Sequence, residues 1–323
     1  MDLTKGELMK KRVVGVLGLG HVGAHVAFDL GALGVADEVV LVDTNEQKRA
    51  SEWQDLFDSG SLLPHRTTYV QGEYKDLGNC DVLVNCIGDI ALLRGSTDRN
   101  QELKFTVPAV RSFVDKVMAS GFDGVVISIT NPCDVVAREF SRLSGLPRGR
   151  VFGTGTGLDS ARLVSVLADK TGLDHKSICA YMIGEHGQSQ MALWSQVNFS
   201  GVTLDEWEKA HPELKLDRAQ AQKEAIDAGW KTFSGKFCTE YGISLTAARL
   251  ANTVLHDEKR LMAVSTELCG EYGESNIFAG VPAVVGANGV EYVPELSLTD
   301  EERAQFKVCC DHIRANIAVA ESL

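Results

Sequence analysis

Proline is scarce in this 323-residue chain, at 7 residues, and aromatic side chains make up only 7%. So little proline excludes extended polyproline spacers, and no stretch is of low complexity. No motif recurs at a period of roughly 20–50 residues, which excludes solenoids and propellers. The eight cysteines (Cys80, Cys86, Cys133, Cys179, Cys238, Cys269, Cys309 and Cys310) include no Cys-x-x-Cys and no metal-ligand spacing. They read as reduced, mostly buried thiols of a cytoplasmic protein rather than a disulfide framework, and no metal is expected. Positive charge is in deficit, with 32 Lys+Arg against 44 Asp+Glu and a net charge of −12. That balance repels phosphate backbones, and no local basic stripe reverses it, so nucleic acid is not an expected partner. An anionic small molecule would need specific arginines to invert the local field. Long apolar runs are missing too. The stretch from Val13 to Ala36 is interrupted by six glycines, His21, His25 and Asp29, which makes it a poor membrane span. Met1 to Arg12 is charged and polar and has no signal-peptide pattern.

What remains is an ordinary globular composition, 44% hydrophobic and 24% charged, in a length suited to roughly two domains. The first half alternates short Val/Ile/Leu-rich runs with amphipathic ones. Val13–Leu19, Glu38–Asp43, Thr67–Gln71, Asp81–Gly88, Val125–Thr130 and Val151–Gly155 read as strands, with helices such as Ala24–Leu33 and Phe105–Ser120 between them. Such alternation predicts an α/β fold built on a doubly wound, mostly parallel sheet. The second half predicts an α+β unit. Its helices are Leu158–Asp169, Leu204–Phe233, Thr246–Asp257 and Thr299–Ser322, with short strands around Leu261–Glu267 and Ala279–Val285. Gly286-Ala287-Asn288-Gly289 reads as a hairpin turn. The boundary is placed near Arg150, giving units 1–150 and 151–323.

Gly18-Leu19-Gly20-His21-Val22-Gly23 is a Gly-x-Gly-x-x-Gly turn directly after the first strand and opening the first helix. Gly18 permits the tight turn, Gly20 lets a pyrophosphate approach the backbone, and Gly23 permits close helix–strand packing. Asp43 stands twenty residues beyond Gly23 at the end of the second strand. A carboxylate there accepts from ribose hydroxyls and repels a 2′-phosphate, which favours NAD over NADP. The bland alternative is a glycine turn with no ligand. Gly88 closes the fourth strand, either as a further cofactor-facing backbone position or as a plain strand-ending turn.

Downstream, Gly184-Glu185-His186-Gly187 presents a histidine between glycines after the apolar run Ile178–Ile183. Alone it would be a structural loop residue. Asp159 and Arg162 share one face at the start of a helix, either as a local ion pair or as partners of that histidine. Asn131-Pro132 follows the fifth strand, where it reads as a turn with Asp134 capping the next helix. Arg99 falls in the first turn of a helix, where the dipole disfavours a cation.

Together these segments resemble the L-lactate/malate dehydrogenase superfamily over nearly the whole chain. The glycine fingerprint, Asn-Pro, Leu158-Asp159-Ser160-Ala161-Arg162 and Gly184-Glu185-His186-Gly187 occur in that family's order and spacing. Asp98-Arg99, then Glu102-Leu103-Lys104-Phe105-Thr106, with Gly187-Gln188-Ser189-Gln190, is most similar to the L-2-hydroxyisocaproate dehydrogenase branch. The resemblance implies an NAD-dependent oxidoreductase interconverting 2-keto and L-2-hydroxy acids, commonly as a homo-oligomer. It also implies roles. His186 would be the general acid/base, Asp159 its tautomer-holding partner, Arg162 the grip on the substrate carboxylate and Arg99 a carbonyl-polarising residue on a closing loop. Asn131 would donate near the nicotinamide and substrate oxygen, and Thr239 would line the substrate pocket.

Specificity would rest on the loop Asp89 to Asp98, two residues longer than in lactate and malate dehydrogenases. Counting from either end puts Ala91 or Leu92 where lactate dehydrogenases have glutamine and malate dehydrogenases arginine. An apolar residue leaves a second carboxylate unpaired and favours a hydrocarbon tail, with Ala228 and Gly229 leaving room for it. Arg94 would restore a malate-type cation after a modest loop shift. The expected substrate is a 2-keto acid with an apolar side chain, with pyruvate/lactate as the alternative and malate behind it. An NAD-dependent glycosidase and a structural NAD binder are the competing classes.

Overall fold

Strands that are apolar on both faces must be covered on both faces, which favours a parallel sheet flanked by helices. The computed structural model describes residues 10–89 and 100–323. Its first strands are β1 (Val13–Leu17), β2 (Glu38–Val42), β3 (Thr68–Gln71), β4 (Val82–Asn85), β5 (Val125–Ser128) and β6 (Val151–Gly153). They pair in parallel in the order β3-β2-β1-β4-β5-β6. Helices α1 (His21–Ala32), α2 (Glu46–Ser59), α3 (Asn100–Ala119) and α4 (Cys133–Ser144) lie between them along the chain. This is the doubly wound order, whose direction of winding reverses between β1 and β4. A crevice therefore opens at the carboxyl ends of those two strands. Below it Leu17 and Leu83 are fully buried with Phe113 and Phe140 on one face of the sheet, each leucine contributing about 1.5–3 kcal/mol by burial.

The second half does not build a separate large sheet. Helix α5 (Gly157–Thr171) follows β6. Five two-residue strands come next: β7 (Ile178–Cys179), β8 (Met182–Ile183), β9 (Met191–Ala192), β10 (Asn198–Phe199) and β11 (Val202–Thr203). The apolar run Ile178–Ile183 is thus divided, β7 pairing with β10 and β8 with β9. The strands expected to be short near Leu261 and Ala279 are long instead: β12 (Arg260–Cys269) and β13 (Ser275–Gly286), followed by β14 (Gly289–Tyr292). They extend the main sheet antiparallel to β6 through the pair Ser265 and Gly153. The reason is two-sided cover: along β13 Ile277, Ala279, Val281 and Ala283 on one face and Phe278 and Val284 on the other are all buried.

The helix expected over Leu204–Phe233 is two helices, α6 (Leu204–Ala210) and α7 (Arg218–Lys236). Pro212 lacks the amide to continue α6, and the Asp217 carboxylate accepts from the Gln220 amide to start α7. Helix α8 (Tyr241–Leu255) and the C-terminal α9 (Asp300–Glu321) complete the half. Thr299 and Glu302 cap α9 reciprocally, a device worth about 1 kcal/mol. Among the described residues no helix is long and apolar enough to cross a membrane.

Candidate active site

The three glycines of the fingerprint each meet a different constraint. Gly18 has φ +83° and lies against β4's continuation, where an added Cβ would stand 3.1 Å from the Ile87 backbone. At Gly23 an added Cβ would meet the Gly18 carbonyl oxygen at 1.8 Å. Gly20 differs: nothing lies within 4 Å of its Cβ position, and it faces the crevice. It is the N-cap of α1 and offers no side-chain cap, so the first-turn amides are open to an anion. Asp43 is held beside this turn, accepting from the Leu19 amide at 2.7 Å and the Asn45 amide at 2.8 Å. Its carboxylate lines a neighbouring groove of about 520 Å³ rather than the crevice itself. Open space at Gly20, a helix N-terminus and a fixed carboxylate fit a dinucleotide.

The crevice is a cavity of about 310 Å³. Asp159, in the first turn of α5 and 1% exposed, stands at its wall. One of its oxygens meets His186 Nδ1 at 2.6 Å and the other accepts from Arg162 Nη1 at 2.8 Å. Burial opposes ionisation of this carboxyl, yet the imidazole and then the guanidinium hold its pKa below the ordinary value. A charged Asp159 requires the proton on Nδ1, which leaves Nε2 as the ring's second functional nitrogen. Arg162 keeps further N–H donors beyond the one spent on Asp159. Asn131, Thr239 and Gly88 line the same cavity. Gly229 also lines it and Ala228 does not, so the room expected from that pair comes from Gly229 alone. Arg99, Ala91, Leu92 and Arg94 lie outside the described residues.

Asp134 does not cap its helix. Pro132 occupies the N-cap of α4, and the Asp134 carboxylate accepts from the Ser265 hydroxyl at 2.5 Å and the His186 amide at 3.0 Å. Sequence reading missed this, since an acid in a helix's first turn has a sufficient local explanation. Ile226, Trp230 and Phe233 of α7 were also missed as an apolar cavity wall. Their i, i+4 and i+7 spacing was visible, but it reads equally well as core packing. Buried Glu102 lines the cavity from the first turn of α3. Among the described residues one trio, His21, Cys238 and Glu240, brings possible metal ligands within 4.8 Å of one another. Glu240 is already paired with the Lys236 ammonium. All eight cysteines are unpaired.

Residues 12–153 match the family model for the lactate/malate dehydrogenase NAD-binding domain, and residues 156–323 match that for the α/β C-terminal domain. The chain is 40% identical to an L-lactate dehydrogenase of Fusobacterium nucleatum, covering 98% of this chain and 99% of that protein. It is 36% identical to L-lactate dehydrogenase 1 of Bifidobacterium longum, over 95% and 97%. Among solved structures, the minor L-lactate dehydrogenase of Enterococcus mundtii in ligand-bound form superposes with a TM-score of 0.91 at 32% identity, covering 97% of this chain and 99% of that one. With both halves matched in order around one crevice, the chain belongs to the lactate/malate dehydrogenase family, as an NAD-dependent oxidoreductase acting on 2-hydroxy acids.

Proposed function

We propose that this chain interconverts a monocarboxylic 2-keto acid and its L-2-hydroxy acid, with pyruvate and L-lactate as the first pair to test. The observation that carries the reading is Asp159 bonded at once to His186 and to Arg162. One buried carboxylate thereby fixes the proton carrier relative to the anion grip. Arg162 binds the substrate carboxylate and so turns the neighbouring carbonyl toward His186. His186 gives its proton to the carbonyl oxygen in reduction and takes it back from the hydroxyl in oxidation. Asp159 stabilises the imidazolium. Asn131 donates a hydrogen bond near the reacting oxygen, and Thr239 bounds the pocket. Bound NAD, held by Gly18, Gly20, Gly23, Gly88 and Asp43, supplies the hydride chemistry. Residues 1–150 act as the cofactor unit and 151–323 as the substrate unit.

The L-lactate dehydrogenases among the relatives support pyruvate. The apolar wall of Ile226, Trp230 and Phe233, with no side chain at Gly229, supports the second reading, a longer apolar 2-keto acid of the 2-hydroxyisocaproate type. NADH consumption over 2-keto acids of graded side-chain length separates the two, and oxaloacetate in the same panel tests Arg94. No NADH oxidation with any member would refute the assignment. Exposed Phe28 on α1 and Tyr241 and Leu245 on α8 support association with a second copy, which light scattering reads directly. Unpaired thiols support a cytoplasmic setting.

A further inference from the structure

Asp134 is 3% exposed, and both of its oxygens are committed. The Ser265 hydroxyl donates to Oδ1 at 2.5 Å and the His186 backbone N–H donates to Oδ2 at 3.0 Å. These groups come from three pieces of the fold. Asp134 rides on α4, Ser265 on β12 at its only pairing with β6, and His186 on a loop that Gly184 ties to β13 through Gly280. A helix's first turn favours an anion, but that preference is met at the surface at little cost. Burying a carboxylate is expensive, and here burial drives the pKa up to about 6. The molecule carries that cost beside the loop of His186.

We propose that Asp134 is a positioning residue for His186, holding its loop by the main-chain amide and adding a second negative charge in support of the imidazolium. This rests on the reading of His186 as the proton carrier. Asp159 acts on the ring at Nδ1, whereas Asp134 acts on the backbone beneath it. Among the described residues, the ionisable groups around Asp134 are His186 and Glu185 from the loop, Cys133 from α4 and Cys310 from α9. Burial pushes both thiols up, so they stay neutral. Glu185 is the other nearby anion, and it is bound by the Ser189 hydroxyl and the Asn316 amide. A negative neighbour favours protonated imidazole. Asp134 therefore makes His186 a stronger base while fixing where its ring stands.

The test is Asp134→Asn in the full-length enzyme with NAD(H) and its best 2-keto and 2-hydroxy acid pair. Asparagine fits the same space, accepting from the His186 amide and donating to Ser265 Oγ, and it removes only the charge. The acidic limb of the kcat/KM profile for oxidation and the basic limb for reduction should both move to lower pH by roughly half to one unit. Turnover should fall about ten-fold while the NADH Kd is unchanged. Ser265→Ala keeps the carboxylate but removes the hydroxyl that helps hold it charged, and should move both limbs the same way by a smaller amount. Unmoved limbs in Asp134→Asn, with only the thermal midpoint altered, would overturn the inference, as would a larger limb shift in Ser265→Ala than in Asp134→Asn. If Asp134→Asn does not fold, histidine NMR on the wild type decides. The His186 ring signal must then show a second inflection as Asp134 titrates, and a single inflection rejects the idea. His186→Ala run in parallel separates the two levels: retained turnover there defeats the proton-carrier reading itself, whereas an inactive His186→Ala beside unmoved Asp134→Asn limbs defeats only this one.

Discussion

Gly229 of α7 lies flat against the Arg162 guanidinium, so close that an added Cβ would stand 3.2 Å from Nη1 and 3.3 Å from the guanidinium carbon. Arg162 is 16% exposed at its side chain and donates to Asp159 through that same Nη1. The guanidinium is therefore held by a carboxylate at one nitrogen while it rests against a bare stretch of helix backbone. Gly229→Ala should press it out of line by a few tenths of an ångström. The expected result is a KM for the keto acid raised roughly three- to ten-fold, with kcat less affected and NADH binding unchanged. An unchanged KM would mean that Arg162 does not set substrate affinity.

Removing members of the Asp159 hub should separate their tasks. His186→Ala should abolish turnover, by roughly 100-fold or more, and leave the NADH Kd nearly intact. Arg162→Leu should raise KM steeply and lower kcat as well, because it also strips a partner from a buried carboxylate. Steady-state kinetics with a parallel NADH fluorescence titration read both. Equal loss of NADH binding in His186→Ala would make that residue structural.

The fingerprint glycines should fail in different ways. Gly23→Ala forces a Cβ into the Gly18 carbonyl, so the turn must open and the thermal midpoint should fall. Gly20→Val places its side chain in open space, so folding should be nearly unaffected while NADH affinity drops by roughly ten-fold or more. Paired melting curves and NADH titrations distinguish them. Full NADH affinity in a folded Gly20→Val would place the phosphates elsewhere.

Asp134 should make stability depend on pH in the direction opposite to a paired surface acid. Its folded pKa of about 6 lies above the ordinary 3.8, so between those values the native chain holds more protons than the unfolded one. Its contribution to stability then falls as pH rises through that window. Asp134→Asn removes this penalty. The variant's advantage over wild type should be near zero at pH about 4 and grow to on the order of 1–3 kcal/mol above pH about 6. Urea melts of both proteins across that range measure it, and an advantage that shrinks with rising pH would contradict the assignment.

Much of this molecule is written in short stretches of chain. The six strand-like runs of the first half, the glycine turn between β1 and α1, the Thr299 cap with its acidic first turn and the three-residue spacing of Asp159 and Arg162 are local patterns. Their physics acts within a few residues, so sequence alone determines them. Pro212, whose missing amide divides α6 from α7, is a local signal of the same kind. Other features depend on which surfaces meet after folding. The Asp134 carboxylate reaches an amide 52 residues away, Gly229 lies bare against Arg162, and β12 and β13 add to a sheet begun in the other half. Each of these is settled by long-range packing of burial faces. An Asp, a Gly or an alternating run carries the same local signal whether its partner is water, a neighbouring turn or a distant strand.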